Sequence, residues 1–211
     1  MRKVVGMLTA WLCLAALACA GDEGLQSTSA MRGLHDRFRG GAWEFEDFFG
    51  SSYLFDRGGN ERVSIDYALN SARVGLMLWR PMGPGIFRGN VEMLGEVFGG
   101  PIFHGPGDVA LGGTLLFRYN FVQPGARLIP YVQGGAGPVY TDIPEGAAAS
   151  DAIGQEVSFN LQAIVGMRYL VNEKWSVSGE LNYRHISNAG MSDPNYGIDQ
   201  LGGAVGFSFS F

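Results

Sequence analysis

The last thirty-seven residues, Trp175 to Phe211, leave little freedom in what this chain can fold into. Trp175, Val177, Leu181 and Tyr183 occupy odd positions, and Ser176, Ser178, Glu180, Asn182 and Arg184 fall between them. A period of two is the mark of a β-strand with one apolar and one polar face. The closing run repeats it, with Leu201, Val205, Phe207, Phe209 and Phe211 on one side and Ala204, Ser208 and Ser210 on the other.

The same rhythm recurs upstream. Trp43 to Phe49 reads as a first strand with blurred alternation. Val63, Ile65, Tyr67 and Leu69 carry the apolar face of the second, which passes to Val74, Leu76 and Leu78, and a bulge near Ser71 would account for that slip. Phe87, Val91, Met93 and Val97 oppose Arg88, Asn90, Glu92 and Glu96 in the third strand. Val109, Leu111, Leu115, Phe117 and Tyr119 oppose Thr114, Arg118 and Asn120 in the fourth. Leu128 to Tyr140 is rich in Gly and Pro, and its faces stay ambiguous. In the sixth, Phe159, Leu161, Val165, Met167 and Tyr169 oppose Ser158, Asn160, Gln162 and Arg168. With the closing pair the count is eight.

Eight strands with charge along one face suit a closed barrel. Such charges cannot face lipid, so Arg88, Glu92, Glu96, Arg118, Arg168, Glu180 and Arg184 are expected inside, in an interior that eight strands leave just filled. A lipocalin-like soluble barrel would invert the faces. Aromatic residues near strand ends (Phe87, Tyr119, Phe121, Tyr169, Trp175, Tyr183) fit interfacial girdles, and Phe211 ends the chain on an alternating strand. The expectation is an all-β fold: an eight-stranded antiparallel transmembrane β-barrel of the bacterial outer membrane. Short connections at Pro81 to Ile86, Val122 to Arg127 and Asn172 to Glu173 are expected on the periplasmic side. The longer Gly50 to Arg62, Gly99 to Gly107, Thr141 to Glu156 and Asn188 to Ile198 would be extracellular.

The N-terminus frames this body. Arg2 and Lys3, an apolar run from Val4 to Ala18, and Ala18-Cys19-Ala20 form the pattern of a signal peptide over residues 1–20. That run is too short to span a membrane as a helix. Acylation of Cys19 as a lipoprotein is the alternative. Cleavage after Ala20 would leave no cysteine, hence no disulfide or thiol chemistry, and would take the formal charge from −5 to −7, which argues against nucleic acid as a partner. Residues 21–40 are polar and read as a leader, with the barrel over 41–211.

Functional chemistry gathers at one place. Continuing the apolar face of the seventh strand reaches His185 and Ser187; continuing that of the eighth backward from Leu201 reaches Asp199. A serine hydroxyl needs a base to become a nucleophile, and histidine is the usual one. A carboxylate on the second ring nitrogen holds its tautomer and stabilises the imidazolium. If the hairpin is symmetric about Asp193, Ser187 faces Asp199 directly and His185 lies on the diagonal. Asn188, Asn195 and backbone N–H groups near Ala189-Gly190 are candidate oxyanion donors. Against this, His-x-Ser arises often by chance, and Ser187-Asn188-Ala189-Gly190 is ordinary turn material. Three catalytically competent polar groups on a face otherwise given to lipid tip the balance toward function. His104, in a Gly/Pro stretch, and His35, in the leader, are expected to be bystanders. No metal-ligand cluster stands out, so no cofactor is implied.

The segments Arg184-His185-Ile186-Ser187-Asn188-Ala189-Gly190 and Pro194-Asn195-Tyr196-Gly197-Ile198-Asp199 resemble the lipid A 3-O-deacylase (PagL-type) family, acyloxyacyl hydrolases of the outer membrane. Weaker likenesses lie at Arg88-Gly89-Asn90, Gly105-Pro106-Gly107, Arg118-Tyr119-Asn120-Phe121 and Pro130-Tyr131. The resemblance implies an eight-stranded barrel that removes an ester-linked acyl chain from lipid A, in the lipopolysaccharide of the outer leaflet, through a His-Ser-acid triad on its lipid-facing surface. It implies Ser187 as nucleophile, His185 as base, Asp199 at the acid position, and Asn195 in the oxyanion hole, with Asn188 and Gly190 beside it. Asp199 stands where the family pattern has glutamate. The function so expected is a serine esterase releasing a 3-hydroxy fatty acid from lipid A. A phospholipid esterase of the same mechanism, or a non-enzymatic barrel acting as anchor or adhesin, are the alternatives. A homodimer is compatible with all three.

Overall fold

A computed structural model of the chain describes residues 34–54, 65–143, 156–191, 195 and 197–211. The expected signal segment lies outside the described residues. Eight antiparallel strands form one closed barrel: β1 (Trp43–Leu54), β2 (Asp66–Met77), β3 (Asn90–His104), β4 (Val109–Asn120), β5 (Leu128–Thr141), β6 (Val157–Leu170), β7 (Trp175–Ser187) and β8 (Ile198–Ser210), with β8 pairing back onto β1. A 3₁₀ turn, Gly85–Phe87, lies in the connection before β3. The pairing path Glu44, Gly75, Leu94, Leu116, Gly135, Gln162, Arg184, Gln200 returns to β1 at Leu54. That stagger, from Glu44 to Leu54, tilts the strands by about 40° and leaves an interior that side chains fill.

Inward charge is what the alternation demanded, and the interior meets it with matched pairs. Among the described residues, five glutamates (Glu44, Glu46, Glu92, Glu96, Glu180) and five arginines (Arg37, Arg73, Arg118, Arg168, Arg184) are buried. Arg118 grips Glu46 through two nitrogens, each at 2.6 Å, and Arg168 reaches the same carboxylate at 2.5 Å. Arg73 spans Glu96 at 2.9 Å and Glu180 at 2.7 Å, while the Tyr131 hydroxyl donates to Glu180 at 2.8 Å. Removing one partner of such a network leaves its counter-charges buried and uncompensated. Glu46→Ala, which takes from Arg118 its bidentate partner and leaves Arg168 with Glu44 alone, is therefore expected to destabilise the barrel by roughly 3–5 kcal/mol. Urea unfolding in lipid vesicles reads this, and an unchanged midpoint would count against the network.

Several sequence expectations shift here. Glu44 and Glu46 belong to the interior set, because β1 points Glu44, Glu46 and Phe48 inward and Phe45, Asp47 and Phe49 outward. Phe48 inside and Asp47 outside are what blurred the alternation. Arg88 is not an interior residue: it precedes β3, and its guanidinium donates to the Val122 carbonyl in the next connection. The bulge expected near Ser71 is also absent. β2 pairs without interruption from Asn70 to Met77, and the irregularity lies at Asp66/Tyr67. What looked like a change of phase is a change in the interior itself. At this end Ile65, Tyr67 and Leu69 join Phe98, Val139, Ile186 and Ile198 in an apolar core, and deeper down Arg73 enters the charged layer. Gly99 to His104, expected as loop, continues β3, so the β3–β4 connection spans only 105–108. Gly100 is required there because a Cβ would stand 1.9 Å from the Ala68 carbonyl oxygen.

The end of the expected leader is folded. Residues 34–36 make a helical turn, and Leu34 and Phe38 pack with Ala42, Met77, Val122, Ile129 and Leu170 across the end of the barrel where β1 begins. Arg37 pairs with Glu44 at 2.6 Å, and Asn90 donates to the Phe38 carbonyl at 3.1 Å. At the opposite end the Asp142 carboxylate accepts the N–H groups of Val109 and Asp108, each at 2.8 Å, which ties two connections together and holds that carboxyl below the usual range.

Candidate active site

Tyr183, His185 and Ser187 follow one another on the outer face of β7, at the end farthest from the chain's N-terminal turn. On β8 the strand alternation brings Asp199 to the same face. The register differs from the expected one. Pairing is centred on residue 192 rather than Asp193, so His185 lies directly opposite Asp199, Ile186 opposite Ile198, and Ser187 pairs with Phe159 of β6. The Asn188–Gly190 turn at the start of the connection accompanies this shift. Ala189 and Gly190 adopt positive φ (55° and 77°), and Met191 N–H donates back to the Asn188 carbonyl at 3.1 Å.

Direct opposition lets a short aspartate reach. His185 Nδ1 lies 2.8 Å from Asp199 Oδ1. With the proton on Nδ1, as the carboxylate requires, Nε2 keeps a lone pair and can act as a base. Both side chains are partly open, the imidazole at 35% and the carboxylate at 22% exposure. Ser187 is half-buried on the same face, two residues along, a spacing of about 6.6 Å. Among the described residues no hydrogen bond joins Ser187 to His185; such contacts commonly close only when substrate arrives.

Two residues that sequence reasoning left out complete the surroundings. Tyr183, read as a girdle aromatic, donates its hydroxyl to Asp199 Oδ1 at 2.5 Å, so two donors converge on one oxygen. Its place two residues before His185 on the same face was the available signal. Gly197, with φ 71°, lies against the imidazole edge: a Cβ there would stand 2.6 Å from His185 Cε1 and 3.1 Å from Nε2. Gly197→Ala is expected to push the ring aside and lower any His185-dependent turnover on the order of 10²-fold, the effect of about 1 Å of misplacement. Parent-like turnover by the variant would show that the ring has room to spare.

The oxyanion candidates are only partly free for that task. Asn188 is buried, and its Oδ1 accepts the Gly190 N–H at 2.8 Å, which anchors the side chain within the turn. The Asn188 N–H donates to Asn195 Oδ1 at 3.0 Å. That contact fixes the Asn195 amide and leaves Nδ2 as its donor end. His104 stays 67% exposed, 3.3 Å from Asp66, and His35 Nε2 contacts the Ala126 carbonyl at 2.9 Å. Among the described residues Glu44, Glu46 and Glu92 lie close enough together to hold a cation, but Arg118 and Arg168 already neutralise them.

Below the site the outer wall is hollowed. Two same-face positions down β8 from Asp199 comes Gly203. There an apolar hollow of about 530 Å³ is lined by Gly179, Leu181, Gly203, Val205 and Val165.

Comparison with known proteins finds one family and several barrels of this fold. The family model described as "Lipid A 3-O-deacylase (PagL)" matches residues 80–208, a span that holds His185, Ser187 and Asp199. Three solved barrels share the fold. The outer membrane enzyme PagL is 15% identical, with 78% of this chain and 97% of that chain covered at a TM-score of 0.52. Neisserial surface protein A is 11% identical, with 80% and 97% covered at 0.56. The N-terminal β-barrel domain of Pseudomonas aeruginosa OprF is 19% identical, with 82% and 98% covered at 0.52. No curated protein sequence matches the chain.

Proposed function

Because the chain belongs to the lipid A 3-O-deacylase (PagL) family and is a bacterial outer-membrane β-barrel, we propose that it is a serine esterase that hydrolyses the ester-linked 3-position acyl chain of lipid A. The observation that carries this reading is the 2.8 Å His185–Asp199 contact on the lipid-facing wall, with Ser187 next along the same face. An outer-leaflet ester would lie at that depth, with its acyl chain running down toward the hollow beside Gly203.

His185 Nε2 takes the Ser187 hydroxyl proton as Oγ attacks the ester carbonyl carbon. Negative charge develops on the carbonyl oxygen, within the sphere of the Asn195 Nδ2 donor. His185 then returns the proton to the departing sugar 3-oxygen, leaving an acyl-Ser187 ester. Water, deprotonated by His185, attacks that ester, and collapse releases the 3-hydroxy fatty acid and restores Ser187. Asp199, held by Tyr183, keeps the imidazole oriented and stabilises its charged form.

Mass spectrometry of lipid A from cells with and without the expressed protein tests the proposal. The expected result is a lipid A lighter by one 3-hydroxyacyl group. Unchanged lipid A with new lysophospholipid would move the same mechanism to phospholipid, and no change in either lipid would leave a non-enzymatic barrel.

A further inference from the structure

The end of the barrel remote from the candidate site carries cations at its surface. Among the described residues every exposed or half-buried lysine or arginine lies there: Arg39, Arg80, Arg88, Arg127 and Lys174. The opposite end shows Asp66, Asp108, Asp142 and Glu156, and among the described residues no Lys or Arg at its surface. Asp36 and Glu173 stand within three residues of Arg39 and Lys174. The other three cations have no such company. The 78–89 and 121–127 connections hold Arg80, Arg88 and Arg127 and no acidic residue.

The 78–89 connection is pinned in shape. Met82 and Gly89 exchange both backbone hydrogen bonds, each at 2.9 Å. The Tyr119 hydroxyl donates to the Phe87 carbonyl at 2.6 Å, and the Gln123 amide donates to the Ile86 and Arg88 carbonyls at 3.1 and 3.2 Å. What this fastening displays is apolar. Ile86 is 75% and Phe87 64% exposed, with Trp79 and Met82 exposed on the same connection. Large apolar side chains beside cations suit the boundary between acyl chains and headgroups. The arginines retain donors for that boundary. Arg88 gives one N–H to the Val122 carbonyl, and a guanidinium carries five. Among the described residues the Arg80 side chain makes no hydrogen bond or ion pair. Phosphate oxygens are the acceptors a guanidinium fork matches best. A soluble phosphate would use the arginines and gain nothing from Ile86 and Phe87, whereas an anionic phospholipid engages both.

We propose that the 78–89 connection is a binding site for an anionic phospholipid of the leaflet opposite the candidate active site. Arg80 and Arg88 supply the charge that holds its headgroup, and Ile86 and Phe87 lie among its acyl chains. This inference is independent of the esterase reading, because it shares no residue with His185, Ser187 and Asp199.

The test places the full barrel in phosphatidylcholine vesicles containing a trace of photoactivatable phosphatidylglycerol or, in parallel, photoactivatable phosphatidylcholine. After illumination, mass spectrometry maps the lipid adducts along the chain. At low salt the phosphatidylglycerol adducts on residues 78–89 are expected to exceed those of phosphatidylcholine on the order of tenfold, and molar salt should shrink that excess. Arg80→Gln should lower the excess about fivefold, the equivalent of about 1 kcal/mol. Arg80→Gln combined with Arg88→Gln should bring it to parity. Heat-modifiable gel mobility checks that both variants fold, and Arg80→Gln, which breaks no bond among the described residues, decides alone if the double variant does not. Equal yields in the parent, an excess spread evenly around the barrel, or an excess that survives Arg80→Gln overturns the proposal. Displacement of the adducts by inorganic phosphate at constant ionic strength would make this a soluble-anion site and overturn it too.

Discussion

Ser187→Ala is expected to lower lipid A deacylation by about 10⁴- to 10⁶-fold while the barrel folds as before. The size follows from the role proposed for the oxygen: without it no acyl-enzyme forms, and only slow attack by water at the bound ester remains. The lack of damage follows from location. Ser187 is a half-buried side chain on the outer face of β7, and no hydrogen bond among the described residues depends on its hydroxyl. Its backbone pairing with Phe159 survives the change. Turnover on purified lipid A should therefore vanish in a protein that still shows the heat-modifiable gel mobility of a folded barrel. A folded variant working at the parent rate would remove Ser187 from the nucleophile role.

Asp199→Asn is expected to cut turnover by about 10- to 10⁴-fold. Two donors, His185 Nδ1 and the Tyr183 hydroxyl, converge on Asp199 Oδ1. An amide cannot stabilise the imidazolium as a carboxylate does, and its NH₂ end can hold the ring in the wrong tautomer. Asp199→Ala should resemble it in rate. Asp199→Glu, welcome had the two residues paired on the diagonal, instead adds a methylene where the contact is already 2.8 Å long. It should fall between the parent and the Asn variant. Parent-like rates for both Asn and Ala would reduce the machinery to His185 and Ser187.

How much of this was legible depended on whether the controlling interaction was local. Period-two alternation is a property of the strand itself, so the eight strands, the inward charges from Glu92 to Arg184 and the shared face of His185 and Ser187 could be read directly. Register is not local. The partner of Asp199 depends on how tightly the connection after Ser187 turns, and the positive φ of Ala189 and Gly190 is not written in the alternation. The interior also changes character along the barrel, from the apolar layer of Tyr67 and Phe98 to the charged layer of Arg73 and Glu96, which imitated a bulge at Ser71. The folded end of the leader had a faint signal in the i, i+4 spacing of Leu34 and Phe38. Its binding site exists only once eight strands have closed beneath it.

His185, Ser187 and Asp199 sit on the outer wall rather than in a cleft open to water. Substrate delivery to such a place is a problem in two dimensions. A lipid arrives by lateral diffusion within one leaflet, and the quantity that fills the site is its mole fraction in that surface rather than its molarity in the flask. In mixed micelles, adding inert detergent at constant total lipid A should slow the reaction by surface dilution, while diluting the whole suspension with water should leave the rate per enzyme almost unchanged. Saturation then reports the crowding of a membrane.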